Sequence, residues 1–491
     1  LPDEGLPFIL NLYFHCFYQL TLAKQMHMKK CLLFPLFVIV GTAICAQQED
    51  SAMIKRISDE ILTHGKAYEN LRHLTKKIGG RLAGSPGMVK AEQWGLKTMQ
   101  ESGADKAWLQ ECMVPHWVRG GTDAAEAMYT IPATGTKNMI PKKKGLDIVA
   151  LGNSEGTGKS AVKADILVVN SFDELESKKD QVKDKIVFYN YKFNDTYVQT
   201  FLAYRDAGQY RGQGPSRAAK YGARAVIVRS MSHAADNNPH TGATRYDSAY
   251  AKIPAVAIGL RDADWLSEQA AKGTVKVSLK TNGHFLPDTI GHNVIGELKG
   301  SEFPDEIIVV GGHLDSWDNC EGAHDDGAGC VQTIEILRAF KAIGYTPKRT
   351  IRFVLFANEE NGLRGGNKYA EEAKTKGEKH IFAIESDAGG FTPRSLGFTL
   401  PDDKFAKVLQ WKSLIAPYGC TEFLKGGGGA DIGPLARTQG TPTGSLNPDS
   451  QRYFDIHHAR SDVFEAVNKR ELELGAVNMA AIIYLIDKYG L

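Results

Sequence analysis

Residues 306–312 read EIIVVGG, an apolar run of one strand's length, and the chain then enters HLDSWDNCEGAHDDGAG at 313–329. Five of these 17 positions are carboxylates (Asp315, Asp318, Glu321, Asp325, Asp326) and two are histidines (His313, His324). Carboxylates crowded at the end of a core strand repel one another, and desolvating each costs on the order of several kcal/mol. Two readings meet that cost: a solvated acidic loop, or a bound cation.

The same stretch begins a pattern that constrains the fold. NVIGELKG and EIIVVGG read as strands, followed by a helix over AGCVQTIEILRAFKAIG. TIRFVLFAN, a helix near GGNKYAEEAKTKG, and HIFAIESD come next, and LELGAVNMAAIIYLIDKYG closes the chain as a helix. Strands alternating with helices make an α/β domain built on a mostly parallel sheet flanked by helices. Residues 50–103 read mostly helical, with SPGMVKAEQWGLKTMQESG opening on Ser-Pro and ending at Gly. Between them, DIVAL, ADILVVN, KIVFYNY, ARAVIVR, IPAVAIG and TVKVSL are short strands, with one helical stretch at GPSRAAKYGA. That block reads as a β-rich domain, residues 145–282, inserted into an α/β domain formed by 47–144 and 283–491.

The first 46 residues stand apart. MKK at 28–30, the apolar run CLLFPLFVIVGTAIC and the small residues ending at Ala46 form a signal-peptide pattern, with residues 1–27 as leader upstream of it. The run falls short of the ~20 apolar residues of a spanning helix, and Pro35 interrupts it. The expectation is an exported protein, periplasmic or extracellular, with Cys45 the candidate for a lipid anchor. The remaining cysteines, Cys112, Cys320, Cys330 and Cys420, have no CxxC spacing and make no disulfide framework. A net charge of +2 without a basic stripe argues against nucleic acid as a partner. The KKK at 142–144 reads as a solvated loop. GNSEGTGKS at 152–160 resembles a phosphate-binding loop, but it has one residue too many before GKS and a strand after it, so it reads as a surface turn.

In an open parallel sheet, ligands gather at the carboxyl ends of the strands. EIIVVGG runs into His313 and Asp315, TIRFVLFAN into Glu359 and Glu360, and HIFAIES into Asp387, while FDIHHARSD supplies His457 and His458 before the last helix. Imidazole and carboxylate without thiolate suit zinc, with cobalt or manganese as substitutes. Two metals sharing a bridging carboxylate would neutralise the acidic knot.

The order HLDS…DDGAG…NEE…ESDAGG…HH…D resembles the co-catalytic zinc exopeptidases, typified by secreted bacterial aminopeptidases, and the likeness includes RLAGSPG at 81–87. The resemblance implies two zinc ions. His313 and Asp387 would complete one, Glu360 and His458 the other, and Asp325 would bridge them. It makes Glu359 the general base and Asp315 the group that orients His313. His458 is preferred to His457 because the family's ligand stands four residues before an Asp, here Asp462. The middle block would be a protease-associated domain. His324 would be a solvated or structural histidine, and Asp431 in the mobile, glycine-rich KGGGGADIGPL would border the substrate pocket as part of a lid. The implied activity is removal of single residues from dipeptides with free ends, with an aminopeptidase on longer peptides as the alternative. A homodimer is implied too. A non-catalytic receptor or a one-zinc acyl transferase would need the ligand set to be incomplete.

Overall fold

The computed structural model describes residues 47–135 and 137–491. The leader, the signal-peptide pattern and Cys45 lie outside the described residues. Two units divide the chain: Leu1–Arg56, of which residues 47–56 are described and helical, and Ile57–Leu491. No described helix is long and apolar enough to cross a membrane.

The larger unit is built on two sheets. The first has eight strands, in spatial order Lys106–Val118, His284–Leu298, Arg349–Phe356, Phe303–His313, Lys379–Glu385, Thr443–Pro448, Pro393–Thr399 and Glu422–Lys425. Four neighbours at its centre, from Arg349–Phe356 to Thr443–Pro448, run parallel. Antiparallel pairs flank them on both sides. Residues 307–313 and 350–356 of the central strands are buried throughout, which is why these stretches read as continuous apolar runs rather than alternating ones. On one face Ile307, Val309, Val354 and Phe356 pack against Tyr369, Ala370 and Ala373 of the helix Arg364–Lys376. The other face meets the helices Ala328–Ala342 and Lys469–Tyr489. The Ser-Pro cue starts its helix as expected, the Ser85 hydroxyl accepting from the Met88 amide ahead of Pro86–Glu101; ahead of Lys469–Tyr489 the Asn468 side chain accepts from the Arg470 and Glu471 amides.

The second sheet runs Met139–Leu146, Ala124–Pro132, Lys276–Lys280, Val162–Val169, Ile186–Tyr189, Ala225–Arg229, Ala255–Ile258 and Ile148–Ala150. Of its first two strands, Ala124–Pro132 precedes the expected boundary at residue 145 and Met139–Leu146 runs across it. Where one helical stretch was expected, three helices occur: Phe172–Ser177, Thr200–Ala219 and Leu260–Lys272. This block is therefore α/β in its own right, with a parallel run from Val162–Val169 to Ala255–Ile258. The helix Thr200–Ala219 holds Gly208, Gly212, Gly214 and Pro215, residues of poor helix propensity that hid all but its end. The KKK run is a strand, not a loop: Lys143 pairs with Glu126 and Lys144 with Asp262 at 2.8 and 2.6 Å. After GNSEGTGKS comes a strand, as expected, but the stretch is not all surface: Gly152 and Ser154 are buried, Gly152 against Trp317. The chain leaves the first sheet at Val118 and rejoins it at His284, and these two residues are paired.

Candidate metal centre

Each of the four central parallel strands delivers its polar residues at its carboxyl end. Phe303–His313 ends on His313 itself, Arg349–Phe356 leads three residues later to Glu359 and Glu360, and Lys379–Glu385 leads two later to Asp387. Thr443–Pro448 is followed by the short helix Tyr453–Ile456 and then His457 and His458. Asp325 returns from the acidic loop, where the Asp325–Asp326 peptide is cis.

These side chains converge on Asp325. His313 Nε2 lies 3.2 Å from Asp325 Oδ1 and 3.4 Å from Asp387 Oδ1. His458 Nε2 lies 3.2 Å from Asp325 Oδ2 and 3.1 Å from Glu360 Oε2. His313, Asp325 and Asp387 form one group of donor atoms close enough to hold a metal ion, and Asp325, His457 and His458 form another. Asp325 belongs to both. His457 Nε2 also approaches Asp325 Oδ2, at 3.4 Å, but the Glu360 contact is made by His458.

Asp315 is placed differently from its expected role. The His313 Nδ1–H donates to the Asp315 backbone carbonyl at 3.0 Å, while the Asp315 carboxylate stands 3.7 Å from that nitrogen. The carboxylate instead accepts from the Glu359 and Glu360 amides at 3.0 and 3.3 Å, tying two strand ends together. His458 has a positive φ of 62°, strain that its neighbours hold in place. The Thr241 amide donates to its carbonyl at 3.0 Å, and its Nδ1 lies 3.3 Å from the Thr241 carbonyl. With the proton on Nδ1, Nε2 presents its lone pair to the centre.

The electrostatics are those of a cation site. Burial lowers the pKa of His313 and His458, but Asp387 beside the first and Glu360 beside the second outweigh it, and both end well above the ordinary 6.5. Burial, with repulsion from Asp325, pushes Glu360 up to about 7. Glu359 is driven well above its usual range by burial and by Asp387 and Glu360.

The Peptidase family M28 model matches residues 293–483, the segment that carries all of these donors. Human carboxypeptidase Q is 34% identical over 464 residues, 91% of this chain and 94% of its own. The chain belongs to peptidase family M28. Among solved structures, an M28 peptidase precursor from Shewanella amazonensis is 30% identical with a TM-score of 0.83, covering 90% of this chain and 97% of that one. A zinc aminopeptidase from Bacillus subtilis shares the fold at 21% identity and a TM-score of 0.60, over 85% of this chain and 94% of that one.

Whether the donors of this M28 chain fit a metal can be judged from its orphaned atoms. Asp325 Oδ2 and Glu360 Oε1 are buried with no hydrogen-bond partner, although imidazole nitrogens lie within 3.5 Å of Asp325 Oδ2. Lone pairs that face a common space without bonding one another suit cations, and the donor set is carboxylate and imidazole throughout. Cys320 lies outside both donor groups.

Several supporting residues take roles that the sequence did not assign to them. Asp462, used only as a spacing marker, accepts from the His324 and Asp325 amides at 2.7 and 3.1 Å and so holds the acidic loop. Asp326 accepts from the His313 and Gly329 amides. A Cβ at Gly312 would stand 2.3 Å from an Asp326 oxygen, which is why the strand ends in glycines. Arg81, from RLAGSPG, is fully buried and donates to the Glu321 and Gly322 carbonyls at 2.7 and 2.9 Å. His324 is buried rather than solvated; its Nδ1 accepts from the Gly390 amide, and burial takes it down to about 4. The glycine-rich loop is tied down: the Gly427 carbonyl accepts from the Thr399 and Thr443 hydroxyls, and a Cβ at Gly429 would collide with the Glu385 carboxyl. Its glycines serve close approach as much as motion.

Proposed function

We propose that this chain is an exported di-zinc exopeptidase that hydrolyses dipeptides with free termini. The observation that carries the reading is the meeting of His313, Asp325, Glu360, Asp387 and His458 at the ends of adjacent parallel strands, with Glu359 beside them. His313, Asp325 and Asp387 would hold one ion, and Asp325, Glu360 and His458 the other. Zinc bound there supplies Lewis-acid polarisation of the scissile carbonyl, a water acidified toward neutrality, and a positive field that keeps Glu359 ionised. Glu359 takes the proton from the attacking water and returns it to the leaving amine nitrogen. Asp315 fixes the Glu359–Glu360 turn by holding both amides, so base and ligand keep separate directions. The inserted segment, which we place at residues 124–280 from its strand pairing, acts as a protease-associated-like wall over the site. The likeness to carboxypeptidase Q and the MKK-plus-apolar pattern at 28–45 support the substrate class and the export.

Chelator-sensitive release of products from one dipeptide, offered free, N-acetylated and C-amidated, tests the reading. Cleavage of the free form alone is expected; cleavage of the amide as well would make the protein an aminopeptidase. Glu359→Gln should retain zinc and lose turnover by about 10²–10⁴-fold. Retained turnover would refute Glu359 as the base.

A further inference from the structure

A pocket of about 540 Å³ opens beside the metal centre, its inner end lined by Asp387 and Glu385. Phe201, Leu202, Leu424 and Leu446 line it among polar residues, together with three cations, Arg205, Arg394 and Lys425, the last paired with Asp402. Arg394 is already engaged, 3.1 Å from Asp449. Arg205 is exposed and makes no hydrogen bond or ion pair with any described residue. It is carried on the helix Thr200–Ala219 of the inserted segment. That helix is seated on the metal-ligand segment: Phe201 stacks on Tyr453 with ring centroids 5.6 Å apart, and Tyr204 meets His457 edge-on at 4.9 Å. The backbone that carries this unpaired guanidinium is thus packed against the metal-ligand segment, while the side chain itself is free to reach into the pocket.

A cavity lined both by a metal-donor carboxylate, Asp387, and by an unpaired guanidinium fits a short peptide bearing a carboxylate. Guanidinium matches carboxylate in a two-pronged hydrogen-bonding geometry that ammonium lacks. We propose that Arg205 is the specificity-determining anchor for a carboxylate of the peptide substrate, with Arg394 as a weaker second donor. The inference rests on the peptidase reading above and deepens it. The carboxylate has two sources, the free C-terminus or an acidic side chain, and both present the same group to the pocket.

The test uses the zinc-loaded full chain with three peptides: Leu-Ala, Leu-Ala amide and Glu-Ala amide. The wild type is compared with Arg205→Ala and Arg205→Lys, and any amide that is not turned over is measured as a competitive inhibitor. Loss of a charge-assisted hydrogen bond should raise KM or the inhibition constant about 10–100-fold, with kcat within about twofold. A rise confined to Leu-Ala assigns the C-terminal carboxylate, and a rise confined to Glu-Ala amide assigns the side chain. In either case Leu-Ala amide is unaffected and Arg205→Lys recovers part of the loss. An equal loss on all three peptides, a loss in kcat alone, or no change overturns the anchor. If the wild type neither cleaves nor binds any of the three, the peptidase reading has failed and the anchor falls with it. Indifference to Arg205→Ala in an active enzyme removes the anchor only.

Discussion

Asp462 shows how much of a site can rest on a residue that is not itself a metal donor. Its carboxylate accepts two backbone amides of the acidic loop, and burial pushes it up to about 7. Asp462→Ala leaves both amides without their partner and frees Asp325 to rotate. Zinc affinity should drop about 10–100-fold, the usual cost of losing a group that orients a ligand, without being abolished; competition against a graded chelator series measures this, and unchanged affinity would show that the loop holds itself. Such residues were illegible in the sequence for a physical reason. The ligands announce themselves because charge at a strand end needs an explanation, whereas Asp462 and Thr241 act on backbone atoms brought near only by folding.

Among the elements, the strands were the easier part to read. Three of the central four are largely buried and read as apolar runs, and their termini located His313, Glu359, Glu360 and Asp387; the fourth, Thr443–Pro448, reads TGSLNP and carried no such signal. Both Lys106–Val118 and Met139–Leu146 are edge strands and were missed: Pro115 interrupts the first, and the second is mostly exposed and carries three consecutive lysines. The turn at 152–160 proves to be an inter-segment contact: Gly152 sits flat against Trp317, whose ring edge faces His458 at 5.7 Å. A Cβ there would lie 1.9 Å from the indole. Gly152→Ala should therefore displace Trp317, cost about 1–3 kcal/mol as overpacking does, and lower turnover through His458. Thermal unfolding together with kcat would record it. A variant of wild-type stability and rate would show the contact to be slack.

For the molecule as a whole, the acidic centre makes stability depend on pH and metal together. Without metal, burial and neighbouring carboxylates lift Glu360 to about 7 and Glu385 to about 8, from 4.5, and burial lifts Asp462 from 3.8 to about 7. Each holds a proton in the folded chain at a pH where the unfolded chain has lost it. Stability from these groups is thus present at low pH and lost as pH rises from about 5 to 8. His313 and His458, also raised, act in the same direction. Asp325, held well below its usual range against burial by His457, His313 and His458, contributes in the opposite sense, but its contribution is complete by about pH 5. Zinc, which favours the deprotonated donors, should reverse the trend. The gap in Tm between zinc-loaded and chelated protein should widen from pH 5 to 8, and a gap independent of pH would contradict the assignment.

The pairing of Val118 with His284 also bears on synthesis. The strand Lys106–Val118 leaves the ribosome long before the strand that completes its ladder. At about 5–20 residues per second, roughly ten to thirty seconds separate the two. During that interval the second sheet, contiguous in the nascent chain, can assemble and bring the two ends of the interruption together. The earlier-made strand waits with an unpaired edge, open to mispairing with other chains. Slow translation before residue 284 would prolong that exposure, so yield of native protein should respond to elongation rate more than the finished enzyme's stability would suggest.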